Sequence, residues 1–172
     1  MKTIKDYASK SLDWVQAARL KHNFELRAGD ELVGTLEWSE GVSGGAKARS
    51  EDGSWVVQRH GFLRPRVTVR ASEATEDAAV FEPSWSGSGD ITITGGQRLR
   101  LASSNLWRND WRLTTAEGQS LLRLRPATGL MRMSAKLDID ASAASFPQLP
   151  AIVFLSFSVL VLMEDDLAIF SI

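Results

Sequence analysis

The sequence contains no cysteine, which excludes disulfide bridges and thiolate chemistry and is typical of a reducing, cytoplasmic location. Histidine is almost as scarce, and neither His22 nor His60 lies in a cluster with metal-ligand spacing. No G-x-S-x-G, G-x-G-x-x-G or P-loop pattern occurs, and no set of acid, base and nucleophile can be named. We therefore predict no catalytic residue, no metal and no cofactor.

Charge is unevenly distributed along a chain whose net charge is only -1. Residues 59–136 carry 12 basic and 7 acidic side chains, whereas residues 137–172 carry five acidic side chains and no basic one. Basic excess attracts phosphates or anionic lipid. The sequence therefore predicts an anionic-lipid patch, for which the candidates are Arg59, Arg64, Arg66, Arg70, Arg98 and Arg100. The alternative is an outer barrel wall with arginine at its exposed positions; no nucleic-acid partner is predicted.

The N-terminal segment has apolar residues every three or four positions, namely Ile4, Ala8, Leu12, Val15 and Ala18. This spacing predicts a helix over residues 4–20 with one apolar face. Such a helix packs against the end of its own domain or lies on a membrane surface. We favour packing against the domain.

From Phe24 onward the apolar period changes to two, which indicates half-buried β-strands. In residues 66–70 both valines fall on one face, and the arginines and the threonine fall on the other. Turn signals such as Ala28-Gly29-Asp30 and Glu51-Asp52-Gly53 separate consecutive runs. We predict eleven strands, near residues 24–28, 31–38, 46–51, 54–59, 66–71, 79–82, 90–94, 97–102, 110–115, 120–125 and 130–139.

The hydrophobic run from Leu149 to Met163 is apolar on every face of a helix, so it must be buried in a bilayer or inside protein. From Pro150 to Met163 a helix rises about 21 Å, whereas the hydrocarbon core of a bilayer is about 30 Å thick. A longer helix would carry the acidic residues 164–166 into the membrane, at about 2.5 to 3.5 kcal/mol for an aspartate. We therefore favour a protein interior over a tail anchor.

The number of strands indicates which interior this is. Eight strands enclose little more than side chains, whereas a helix needs a bore of about 10 to 12 Å. Around eleven strands provide that bore, as in eleven-stranded cans with a central helix. We predict one domain over residues 1–172 that is mainly β, a closed antiparallel barrel of about 11–12 strands around a hydrophobic C-terminal helix at about 149–163.

This layout of many hairpins followed by an apolar helix, from Phe24 to Met163, resembles the tubby-like domains. That superfamily includes tubby C-terminal domains, phospholipid scramblases and the LURP-one-related proteins of plants. The resemblance implies about twelve strands around the helix and a role at anionic phospholipid. The chain lacks the cysteine-rich stretch of scramblases, and we transfer no individual lipid-binding residue.

The six tryptophans are numerous for this length, and most of them are expected to fill the space between the wall and the helix. Trp107 and Trp111 flank a predicted loop, so we predict these two as exposed aromatics. The acidic residues 164–166 lack the alternating spacing of an EF-hand, and we expect them to solvate the end of the helix rather than hold calcium.

Two functions remain open at this stage. One is a cytoplasmic lipid-facing domain, peripheral at the membrane, whose arginines bind anionic headgroups. The other is a protein-interaction or scaffold domain without a small-molecule ligand. An enzyme is the least favoured.

Overall fold

The computed structural model describes residues 2–17, 22–39, 45–61, 66–84, 88–105, 107–129 and 132–170. A short 3-10 turn, Ile4–Tyr7, precedes the strands, and a second, Ala141–Ser145, follows them. The single α-helix in this part of the chain, α1, spans Leu149–Phe170. The strands are β1 Ser11–Gln16, β2 Asn23–Ala28, β3 Glu31–Trp38, β4 Ala46–Ser50, β5 Gly53–His60, β6 Arg66–Ala71, β7 Ala79–Pro83, β8 Gly89–Ile93, β9 Arg98–Ser103, β10 Trp111–Thr115, β11 Ser120–Gly129 and β12 Arg132–Ile139.

The twelve described strands form a closed antiparallel barrel in which each strand pairs with the next in the chain. Closure is made by β1 and β12, with Leu12 opposite Leu137 and Trp14 opposite Ala135. Each of these strands therefore has a neighbour on both sides, and its backbone donors and acceptors are used within the sheet. The predicted mainly β, closed barrel is confirmed, and each of the eleven predicted strands corresponds to one of β2 to β12.

Helix α1 lies inside this barrel. Residues 149–162 are buried on every face. The ring of Phe154 lies 5.9 Å from that of Trp14 on β1 and 5.5 Å from that of Trp55 on β5, so it reaches two separate parts of the wall. Phe157 stacks on Trp14 at 4.4 Å. The predicted central helix begins at Leu149 as expected and continues beyond residue 163.

The barrel has two distinct ends because the chain runs up and down in consecutive strands. At one end, here called the base, β12 finishes at Ile139, the Ala141–Ser145 turn follows, and α1 begins. The other end, here called the mouth, is where Met163 becomes partly exposed and Glu164 exposed. The connections from odd to even strands, including that from β9 to β10, lie at the mouth. No helix in the described residues is both long and apolar enough to cross a membrane.

The predicted N-terminal helix over residues 4–20 is wrong. Only Ile4–Tyr7 is helical, as a 3-10 turn, and β1 follows it; residues 18–20 lie outside the described part. In β1, Leu12 and Trp14 point inward and alternate with exposed neighbours, so a period of two also fits this segment. Strand pairing decides between a helix and a strand for this segment. As a strand, it fills the gap between β2 and β12 and completes the hydrogen-bonded ring.

Candidate functional site

Five of the described arginines on the outer wall are paired with a carboxylate on a nearby residue. Arg123 makes two hydrogen bonds to Asp110, at 3.0 and 2.9 Å, and these bonds hold the pKa of Asp110 below its usual range. Other ion pairs in the described ranges include Arg27 with Glu25 at 2.6 Å, Arg70 with Asp77 at 3.1 Å, Arg100 with Asp90 at 3.4 Å and Arg125 with Asp138 at 2.9 Å. The wall is therefore mixed in sign over much of its surface.

The predicted arginine patch is divided between two parts of the barrel. Arg59 is half-buried near the mouth end of β5, and Arg66 and Arg70 are exposed on β6. Arg98 and Arg100 are exposed on β9, three strands further round the ring. Arg64 lies outside the described residues.

Acidic side chains separate these two groups of arginines. Glu82 on β7 lies opposite Asp90 on β8, and Asp90 in turn lies opposite Arg100 on β9. Arg70 and Arg100 are also the members of the predicted set with ion pairs to Asp77 and Asp90. The described arginines therefore do not form one continuous basic surface.

A different basic pair, which we did not single out from the sequence, lines a groove on the outer wall. Lys47 and Arg49 are exposed on β4, two residues apart and therefore on the same face of the strand. Both border a groove of about 790 Å³ that extends over β5 to the end of β6 at the base. Ser54 and Ser72 add hydroxyl groups to its lining, and Val56 adds an apolar surface.

The local sequence explains why this pair faces outward. Ala46 and Ala48 alternate with the two basic residues and are buried, which fixes the outward direction of Lys47 and Arg49. The turn that follows places Gly53 at a φ of +145°, a conformation that favours glycine. This turn closes the β4–β5 hairpin beneath the groove.

The acidic residues of the groove do not neutralise the basic pair. One oxygen of Asp52, Oδ2, accepts hydrogen bonds from the Ile4 amide and the Ser50 hydroxyl, both at 2.9 Å. Glu73 is exposed at the base end. Within the described part of the chain, neither Lys47 nor Arg49 forms an ion pair.

A third cation, Arg70, lies in the same row of the wall as Lys47 but outside the lining of the groove, and it is paired with Asp77. Lys47 lies opposite Glu37 on β3 and Val56 on β5, and Val56 lies opposite Arg70 on β6, so this row of the wall carries both signs of charge. Neighbouring strands are about 4.8 Å apart, which places the backbones of Lys47 and Arg70 roughly 10 Å from each other. A groove with Lys47 and Arg49 on one side and the hydroxyls of Ser54 and Ser72 in its lining suits a phosphate group.

The predicted pair of exposed tryptophans is separated by the structure. Trp107 is 85% exposed, whereas Trp111 is only 3% exposed, and its exposure was wrongly predicted. Trp111 begins β10 with its ring directed into the barrel, and its Nε1 donates to the Arg108 carbonyl at 2.9 Å. The loop contains Trp107 but not Trp111, because Trp111 is the first residue of β10 and occupies a buried position of that strand.

Groups that could hold a metal ion were also considered. No group of three or more histidine, cysteine or acidic residues in the described ranges is arranged to do so. His60 instead lies 3.2 Å from the Thr68 hydroxyl on β6, through its Nε2.

No family model matches the chain, and neither a curated protein nor a solved structure matches it. The resemblance to tubby-like domains rests on layout and stays a prediction. Function is therefore inferred from the groove and the outer wall.

Proposed function

We propose that this chain is a binding domain that attaches reversibly to anionic phospholipid at a membrane surface through the groove between β4 and β6. The observation that carries this proposal is the basic pair Lys47 and Arg49, whose charges have no ion-pair partner among the described residues. Arg70 on β6 and Arg100 on β9 are weaker candidates, because they already contact carboxylates.

The geometry of the basic pair supports a phosphate ligand. Residues two apart on a strand are separated by about 6.7 Å, so Lys47 and Arg49 can donate to different oxygens of one headgroup. Their side chains are exposed, so a headgroup reaches them without a change in the barrel.

Because the interior of the barrel is filled, a binding site on the outer surface is favoured. Helix α1 fills the bore, and its apolar side chains are already buried against the wall. A lipid chain has no corresponding cavity there, so we propose that the headgroup is recognised and that the acyl chains stay in the bilayer. Binding of this kind depends on charge and weakens with salt.

The test is sedimentation of the full chain with phosphatidylcholine vesicles, with and without phosphatidylserine, at low and high salt. We expect binding only to the anionic vesicles, and release at high salt. Each lysine or arginine near an anionic surface contributes about 1 kcal/mol, so Lys47→Gln with Arg49→Gln should weaken binding about thirtyfold.

Arg98→Gln with Arg100→Gln is the matched control, because it removes the same two positive charges from another part of the wall. We expect this variant to bind nearly as well as the unaltered protein. Absence of binding to anionic vesicles at low salt would overturn the proposal. Equal losses of affinity in the two double variants would mean that binding depends on net charge and not on the groove. Inositol hexakisphosphate distinguishes a free phosphate ligand from a lipid. Release of the protein from anionic vesicles by this compound, with no protein sedimenting with plain phosphatidylcholine vesicles, would indicate a free phosphate ligand.

A further inference from the structure

The indole of Trp107 is exposed and does not pack in the core. At 85% exposure it is the most exposed large hydrophobic side chain in the described residues, and Leu32, at 50%, is the next. It lies at the mouth, in the loop formed by residues 104, 105 and 107–110, here called the Trp107 loop. Burial of an indole contributes more to apolar stabilisation than burial of most other side chains. Because Trp107 is exposed, this stabilisation is available to a complex in which another molecule buries the ring.

Hydrogen bonds link described residues of the Trp107 loop on both sides of the indole. The Asn105 side chain donates to that of Asn109 and accepts from the Asn109 amide at 3.2 Å. Arg108 has a φ of +54°, which is unfavourable for a residue with a side chain, and its carbonyl accepts from the Trp111 indole. Asp110 is fixed by Arg123. The loop is therefore preorganised, which lowers the entropy lost on binding.

The surface beside the indole carries both signs of charge. A crevice of about 40 Å³ adjoins the loop, with Leu160 and Met163 of α1 on its apolar side and Arg108 and Glu164 on its polar side. A bilayer with anionic lipid and a nucleic acid both present negative charge, which the exposed carboxylate of Glu164 repels. A protein surface can present both signs.

We infer that the Trp107 loop docks onto a protein partner that offers an apolar pocket for the indole and a carboxylate for Arg108. Tryptophan and arginine are the residues most enriched at the energetic centres of protein interfaces. The loop and the groove of Lys47 and Arg49 lie at opposite ends of the barrel, the groove at the base and the loop at the mouth. The protein can therefore use both surfaces at once.

The experiment compares the full chain with Trp107→Ala and Leu32→Ala, each tagged and recovered from its native cell. Proteins retained by the unaltered chain and by Leu32→Ala, but lost with Trp107→Ala, are purified and titrated by calorimetry. We expect about a thirtyfold loss of affinity for Trp107→Ala, and a smaller loss for Arg108→Glu. Leu32 is the matched control because it is an exposed apolar side chain at the base.

The thermal midpoint of Trp107→Ala should stay unchanged, which separates loss of binding from loss of fold. The inference is overturned if no retained protein depends on Trp107, or if the purified candidates bind Trp107→Ala within about twofold of the unaltered chain. It is also overturned if the unaltered chain binds phosphatidylcholine vesicles and Trp107→Ala does not, because the indole would then be a membrane anchor.

Discussion

The interior and the outer surface of this barrel differ in the interactions that their side chains make. Inside, the apolar side chains of α1 and of the twelve described strands meet in one continuous core, with aromatic rings bridging helix and wall. Outside, charged side chains alternate along the strands, and five of the described arginines are paired with nearby carboxylates. Two features of the outer surface stand out for binding: the basic pair of β4, which borders a groove, and the exposed indole of the Trp107 loop.

This difference separates residues that maintain the fold from residues that are free to bind. A core position is constrained by packing, so its replacement changes stability. The side chains of Lys47, Arg49 and Trp107 have few described contacts, so their replacement should change binding and leave stability nearly intact. The predictions below test this separation.

The largest expected effect is at the centre of the core. Phe154→Ala removes the ring that contacts Trp14, Trp55 and the close backbone of Gly34. Replacement of a buried phenylalanine by alanine lowers the free energy of unfolding by about 3 to 5 kcal/mol. Urea denaturation measures this loss, and Leu32→Ala is the exposed control. A loss below about 0.5 kcal/mol would mean that the helix does not lie inside the barrel.

A smaller effect is expected where the wall has no room for a methyl group. A Cβ on Gly89 would lie 2.4 Å from Cε2 of Phe81 and 2.5 Å from the Glu82 carbonyl oxygen. Overpacking of this kind lowers stability by about 1 to 3 kcal/mol, so Gly89→Ala should unfold at lower urea. Gly34→Ala is the matched comparison, because its nearest contacts are longer, at 3.0 and 3.1 Å. Equal stability of Gly89→Ala and the unaltered chain would contradict the packing of β7 against β8.

The ion pair of Asp110 and Arg123 should give a modest effect that depends on pH. The pKa of Asp110 is lowered by the hydrogen bonds from Arg123, so this pair stabilises the fold above the unfolded pKa of about 3.9. That stabilisation is lost as the pH falls through the lower pKa of the folded state. Asp110→Asn should therefore lower the thermal midpoint by a few degrees at neutral pH, and the difference should shrink below pH 4. A difference that is constant with pH would rule out this origin.

The smallest effect on stability is expected at Trp107. Trp107→Leu should change the free energy of unfolding by no more than about 0.5 kcal/mol, because the indole buries little surface. Trp111→Leu changes the same residue type four positions later, yet it should destabilise clearly, since Trp111 is buried and donates to Arg108. Similar unfolding curves for the two variants would contradict the different surroundings of these two tryptophans.

The interior of the barrel could be predicted because hydrophobic period and length are local properties of the chain. The run from Leu149 to Met163 is too apolar for a surface and too short for a bilayer, and the alternation from Phe24 onward gave the strands of the wall. Strand β1 was missed because its apolar residues fit periods of two and of three to four equally well. The decision depends on pairing with β12, which is distant in the sequence.

The exterior was less predictable because neutralisation depends on strand register. Arg100 meets Asp90 across β8 and β9, and Arg123 on β11 meets Asp110, which directly precedes the neighbouring strand β10. Neither pairing is visible in a count of charges. The run of alternating small and basic residues at 46–50 was identified as a strand, and its outward face already contained Lys47 and Arg49. What could not be seen was that these two side chains border a groove and lack ion-pair partners among the described residues.

Hydrogen exchange with and without anionic vesicles tests the central claim most directly, because it reports on the inside and the outside of the barrel together. We predict that the amides of α1 within the barrel exchange most slowly, near the rate set by global unfolding, with or without vesicles. Vesicles that contain phosphatidylserine should slow exchange further only in residues 46–56, which border the groove. Rapid exchange in α1, or a change there on addition of vesicles, would show that the helix leaves the barrel for the bilayer and would contradict the account.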